Sequence, residues 1–362
     1  MFKSKWMRFL PFLPILVLLL VVNIYGDAGN KFHSPADAMA DALVNGYPAY
    51  VASGNLNERE LRYRYICRMP DDIECSIFGS STVLCVKSTD IGVGKFVNLG
   101  NSAGRLEDAL SCLGAIKFLG KHKHIQRIIF SPSEYWFNRK RIDSDYDKTL
   151  MPYVDYMLDT IKGKNTEDRQ IPTPEFNASI FSSNLLFSLS YFQANVKYIL
   201  GSNMLQTARS GIVEKDKYEG KYYMPDGSLV YEKKTTMRDE INVIHFAGEF
   251  VKDRKVLEAY TEHLDSENSK IFDKLVEYLT AQGIRVDIFL VPLPPALWDR
   301  INPTQYPFFP ELEEYLINTA DKYSLRVIGS FNPYKVDITN SDFYDARHIR
   351  SESISKYFNL KD

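Results

Sequence analysis

The stretch Ile73-Glu74-Cys75-Ser76-Ile77-Phe78-Gly79-Ser80-Ser81 decides how the chain reads. Ile77 and Phe78 are strand formers. Gly79 permits a sharp reversal at low steric cost. Two serines follow at the point where a parallel strand feeds a helix. In an open α/β sheet ligands bind beyond the carboxyl ends of the strands, so a serine here presents its hydroxyl to a ligand. Gly-Ser-Ser is also an ordinary strand-to-loop turn, and the functional reading depends on what else the chain supplies.

Working outward, strands alternate with helices, the pattern of a parallel sheet. After Ile73–Phe78 come Lys95–Leu99, Ile125–Phe130, Arg285–Val291 and Leu325–Ile328. Helices are expected over Leu106–Leu119, Ser266–Gln282, Pro310–Tyr323 and Ser351–Phe358. In the second of these Ile271, Leu275, Tyr278 and Leu279 fall at helical spacing, and Gly283 stops it at the C′ position. Between the third and fourth strands lies far more chain than a crossover needs. Residues from about Glu134 to Asp265 therefore form an insertion. It holds an amphipathic helix over Ser182–Leu200 and a turn at Tyr223-Met224-Pro225-Asp226-Gly227-Ser228.

The chain has 362 residues, 45% of them hydrophobic, enough for one large domain with an insertion. Net charge is −2, which leaves no electrostatic footprint for nucleic acid. The 23 tyrosines and 22 phenylalanines supply core, with sugar stacking as a second use. Four cysteines, Cys67, Cys75, Cys85 and Cys112, include no Cys-x-x-Cys, against a zinc ribbon or thioredoxin site. Cys85 and Cys112 could bridge in an oxidising compartment, but sequence alone does not pair them, and buried free thiols are the preferred reading.

Lys3, Lys5 and Arg8 precede an apolar run from Phe9 to Tyr25. Its length is near the lower limit of about 17 residues for a spanning helix, and the basic flank keeps the N-terminus cytoplasmic. Gly26-Asp27-Ala28 is a poor small-x-small cleavage site, which favours an anchor over residues 1–26 rather than a cleaved signal. The bulk of the chain is then periplasmic or extracellular. Residues 27–72 read as a polar approach segment, highly charged over Asn55–Arg64, that runs over the surface before the sheet begins at residue 73.

A serine needs a base at neutral pH, and the base needs an orienting group. Asp342-Phe343-Tyr344-Asp345-Ala346-Arg347-His348 follows the last strand, and one turn brings Asp345 against His348. All parallel strands deliver their loops to one edge, so His348 faces the loop that carries Ser81. Alone, the pair reads as a capping Asp beside a surface His.

Three blocks together carry more. Gly79-Ser80-Ser81, then Asn98-Leu99-Gly100-Asn101-Ser102-Ala103-Gly104, then Asp345-x-x-His348 resemble the SGNH (GDSL-like) hydrolase superfamily over about Ile73–Phe130 and Ile271–Phe358. The N-terminal anchor and the Asp-Phe-Tyr-Asp-x-x-His run are similar to those of its membrane-anchored members. Among these are proteins of alginate O-acetylation and the teichoic-acid D-alanine transfer protein, which use Gly-Ser-Ser. The resemblance implies a three-layer α/β/α fold with a five-stranded flavodoxin-like parallel sheet. It also implies Ser81 as nucleophile, His348 as base, Asp345 as its orienting partner, and an oxyanion hole from the Ser81 amide and that of Gly104 or Ala103. An acyl ester on a cell-surface glycan is the implied substrate, a membrane O-acyltransferase the implied partner, and no metal or organic cofactor is implied.

The chain departs from that pattern at the third block. Many members carry an Asn after the third strand; here Ser131-Pro132-Ser133-Glu134 stands, and Asn138 is a distant substitute. That gap favours a rival reading, a catalytically silent module that binds a glycan or a membrane acyltransferase. Other candidates weigh less. His122-Lys123-His124 has metal-ligand types but lies in a basic loop. His245 reads as a packed or surface residue. Asp90-Ile91-Gly92-Val93-Gly94 precedes a strand and is no phosphate loop. Val291-Pro292-Leu293-Pro294-Pro295 ends a strand at the site edge and shapes it.

Overall fold

The computed structural model describes residues 12–27, 32, 34–50, 56–138, 148–176, 184–201, 220–301 and 304–358. Five parallel strands form the central sheet: β1 Cys75–Gly79, β2 Phe96–Asn98, β3 Arg127–Ser131, β4 Arg285–Leu290 and β5 Arg326–Gly329. Their spatial order is β2-β1-β3-β4-β5, all parallel, with helices on both faces. Strands covered on both faces need no polar alternation, and every residue of β1 is buried. The order reverses between β1 and β3, so the crevice at their carboxyl ends is the switch point where such sheets bind ligands.

Sequence and structure agree closely along this core, with strand bounds shifted by a residue or two. The helix Ser266–Ala281 starts at Asp265, whose side chain accepts from Glu267 and Asn268 amides at 3.0 and 2.8 Å. It stops at Gly283, whose φ of 76° is the left-handed turn a side chain resists. Phe272, Leu275, Val276 and Leu279 face the core. Asp287 on β4 is fully buried, and Arg127 and Arg285 reach it at 2.7 and 3.1 Å. Two cations at one carboxylate meet the requirement that buried charge be paired.

Two expectations change. Residues 27–72 are not only a surface run: the helices Ala36–Val44 and Glu58–Arg68 send Met39, Leu43, Leu61 and Ile66 into the main core. The charge of the second helix conceals this, because Arg62 is itself buried, with Nε on the Gly100 carbonyl at 2.8 Å and a guanidinium nitrogen on that of Gly227 at 2.8 Å. The insertion, too, is woven into the core. Tyr222–Tyr223 pairs with Ala49–Tyr50 on one side and with Leu229–Val230 on the other, in a small antiparallel sheet. The turn between them lies on β2, where the Asn98 amide donates to the Asp226 carbonyl at 2.7 Å. Gly227 has φ 79°, and a Cβ there would stand 2.5 Å from the Asn98 carbonyl oxygen, so both the turn and the contact require glycine.

The N-terminal apolar run forms a helix over Leu13–Gly26, 14 residues, short of the roughly 20 that a span needs. Residues 1–11, with the basic flank and the start of the run, lie outside the described residues. Among the described residues no helix is long and apolar enough to cross a membrane. All four cysteines are free, so Cys85 and Cys112 do not bridge. Burial pushes both thiols up to about 12 and keeps them protonated.

Candidate active site

Gly79 ends β1 where the chain must turn under its neighbours. A Cβ there would meet Val83 at 2.8 Å and the Ser131 carbonyl at 2.9 Å, so only glycine lets the strand end so close to β3. The backbone then enters a single 3-10 turn, Ser81–Val83. Ser80 turns inward, 1% exposed, with its hydroxyl 3.1 Å from that of Thr82. Ser81 turns the other way, and its Oγ lies 2.8 Å from His348 Nε2.

His348 is placed by a loop rather than by the last helix. Phe343 and Ile349 form an antiparallel bridge that closes a tight loop around Asp345. One Asp345 oxygen accepts from the amides of Arg347 and His348, each at 2.8 Å. Both carboxylate oxygens lie on His348 Nδ1, at 3.0 and 2.9 Å. Burial opposes ionisation of Asp345, but the His348 imidazole and those two amides outweigh it and hold the carboxyl below its usual range. A charged carboxylate on Nδ1 fixes that nitrogen as the N–H and leaves Nε2 to accept from Ser81. Tyr344 stacks on the imidazole, centroids 5.7 Å apart and 7° from parallel. Tyr231 packs beside it at 5.9 Å, and its hydroxyl reaches the Ser81 carbonyl at 3.4 Å. Burial pushes both phenols upward, so both stay neutral. The imidazole side chain is still 22% exposed, which leaves the site open to a ligand.

The second block is bound tightly to the first. Asn98 is fully buried; its side-chain nitrogen donates to the carbonyls of Val83 at 2.7 Å and Val86 at 3.0 Å, and its oxygen accepts from the Gly100 amide at 3.0 Å. The Asn101 amide reaches the Gly79 carbonyl at 3.1 Å. Glu58 accepts from the Ser102 amide at 2.5 Å and from the Tyr223 hydroxyl at 3.0 Å. Gly104 packs against the end of β1, where a Cβ would stand 2.3 Å from the Gly79 carbonyl. The Gly104 amide donates to the Asn101 carbonyl at 2.9 Å. Its neighbour Ala103, exposed and held at φ 49°, directs an amide that no acceptor takes among the described residues.

At the third block Glu134 takes a structural role. Its carboxylate grips Arg347 at two points, 2.5 and 2.7 Å, and Tyr260 donates to it at 3.2 Å. Glu134 is fully buried and the Arg347 side chain 15% exposed. Burial works against the guanidinium charge, but the Glu134 carboxylate outweighs it and holds the Arg347 pKa well above its ordinary value. Asn138 is turned away, its amide donating to the Ala259 carbonyl at 2.5 Å.

Ser81, His348 and Asp345, named from the sequence, thus stand in hydrogen-bonded series. Glu134, Arg347, Tyr231 and Asn98 form their support, and sequence reasoning assigned them no such role. The signal was faint: Arg347 lies inside the Asp-x-x-His run, and Glu134 stands where an Asn was sought. Among the described residues no group of three or more His, Cys, Asp and Glu is placed to hold a metal, and His122 and His124 belong to no such group. Chemically, the series can take a proton from a hydroxyl and hold the resulting imidazolium against a carboxylate. No family model matches the chain, and no curated protein matches it either.

Proposed function

We propose that the protein is a membrane-anchored serine acyl esterase or O-acyltransferase of the SGNH type, acting on a cell-surface polysaccharide. The observation that carries this reading is the 2.8 Å contact of Ser81 Oγ with His348 Nε2, with Nδ1 held by Asp345. Ser81 Oγ attacks the ester carbonyl carbon, and its proton passes to His348 Nε2. The tetrahedral intermediate then collapses, the alcohol leaves with that proton, and the acyl group remains on Ser81. Water or a sugar hydroxyl accepts the acyl group by the same steps in reverse. The oxyanion meets the Ser81 amide and one amide of the second block. Of the two that the sequence offers, Ala103 is favoured over Gly104, whose N–H is spent within its turn. The N-terminal apolar helix supports attachment to a membrane, and a membrane acyl donor system fits as the partner. A silent glycan-binding module is the second reading, favoured by a third block whose Glu134 is committed to Arg347.

The test is release of nitrophenol from p-nitrophenyl acetate, with and without an oligosaccharide acceptor. The enzyme reading expects release that Ser81→Ala abolishes and that an acceptor accelerates. Equal release by wild type and Ser81→Ala would favour the silent module.

A further inference from the structure

We infer that the insertion returns to the membrane: the segment from Asn184 to Gly201 lies in the lipid interface beside the N-terminal helix. This rests on the anchor reading proposed above and adds a second lipid-facing element to it.

The pair is built with its polarity reversed from that of a water-soluble protein. The helix Leu13–Gly26 packs against the helix Leu189–Gly201 and the turn Asn184–Phe187 before it. At the contact both Asn23 and Asn195 are fully buried. Asn195 donates to the Asn23 side-chain oxygen at 3.1 Å. Asn23 in turn donates to the carbonyls of Leu185, Leu186 and Ser188 at 2.9, 3.0 and 3.1 Å. Gly26 lets the helices close, since a Cβ there would stand 2.7 Å from Asn195 Cβ. Asp27, just past the helix end, accepts from the Tyr191 hydroxyl at 2.5 Å. Small residues and hydrogen-bonded amides at the crossing are what packing in lipid selects.

The outside of the first helix is apolar. Leu13, Ile15, Leu16, Val17, Leu18 and Val21 are each 45% to 59% exposed. On the second helix Leu189 and Leu200 are 60% and 81% exposed, and Phe187 before it 57%. Leu189, Val196 and Leu200 fall on one helical face, bordered by Gln193 and Lys197. A narrow apolar face with a polar border is the profile of a helix lying in a headgroup boundary, its lysine reaching toward water. The sequence agrees, with no charged residue from Phe176 to Val196. The occupant is lipid: polar groups satisfied inside and aliphatic groups turned outside match hydrocarbon, and this face continues the one on the anchor helix.

The full-length protein in phosphatidylcholine–phosphatidylglycerol nanodiscs tests this with nitroxides at Leu18→Cys, Leu200→Cys and the water-exposed control Lys123→Cys. Unsubstituted chain gives the background from native thiols. Collision with oxygen reports lipid and collision with a soluble nickel complex reports water. The expected result is nickel collision several-fold lower at Leu200 and Leu18 than at Lys123, with oxygen collision higher. Leu200 as nickel-accessible as Lys123, with Leu18 in lipid, overturns the second element and leaves the anchor standing. Both sites in water overturn the anchor as well. Leu200 shielded from both reagents means that protein covers this face, and overturns the lipid assignment.

Discussion

Glu134 and Arg347 form a two-point ion pair at the carboxyl edge of the sheet, one residue from the imidazole that contacts Ser81. Removing one partner from such a pair strands the other charge, at a cost of about 3–5 kcal/mol. Glu134→Ala is therefore expected to lower stability by roughly that amount and to cut the proposed esterase activity in the fraction that still folds. Glu134→Gln/Arg347→Met removes both charges and should recover most of the stability without restoring full activity, because the His348 loop loses its tether. Denaturant melts and kcat on the same variants check this. If the double variant melts like Glu134→Ala, the pairing argument fails.

Gly104 is the tightest of the points where the second block touches the first. Its Cβ position is 2.3 Å from a backbone oxygen, which cannot rotate away. Gly104→Ala should cost at least about 1–3 kcal/mol, the range for overpacking a tight site. Activity should fall further than stability alone explains, since Gly79 carries the Ser81 loop. A thermal melt within a degree of wild type would contradict the contact.

Much of this was legible in the sequence and some was not, for a physical reason. Strands such as Cys75–Gly79 are written locally, in a run of strand formers that ends at a glycine. Asp345 and His348 are three residues apart, so their meeting is also local. Asp226 caps the Ser88 amide across 138 residues, and Arg347 reaches Glu134 across 213. No local pattern encodes such partners. Arg62 misleads in the same way: in a charged helix it reads as surface, but two distant carbonyls draw it inside.

The Asp345 carboxyl is held below its usual range, and the sign of its pH effect follows. A depressed folded pKa contributes stability that is fully present above the unfolded value, about 3.9, and is lost as pH falls through the folded value. Wild type should therefore lose more stability than Asp345→Asn as pH drops below about 4. Denaturant melts at stepped pH read this directly. Parallel curves throughout would show that Asp345 is not stabilised as a carboxylate.

If the N-terminal run anchors the chain as proposed, residues after about Gly26 lie outside the cytoplasm. A reporter that fluoresces only in the cytoplasm, fused after Asp362, should stay dark. A bright fusion would overturn the compartment and the cell-surface substrate with it.

The central claim is that Ser81 becomes acylated with His348 as its base. Peptide mass spectrometry of the full-length chain, quenched in acid during reaction with p-nitrophenyl acetate, tests it most directly. The account predicts one acetyl group on the peptide carrying Ser81. It should be absent from Ser81→Ala and nearly absent from His348→Ala, since residues that act as a unit do not lose activity additively. Asp345→Ala should retain more, because His348 still accepts a proton. Acetyl on Ser80, or equal labelling of wild type and Ser81→Ala, would contradict the account.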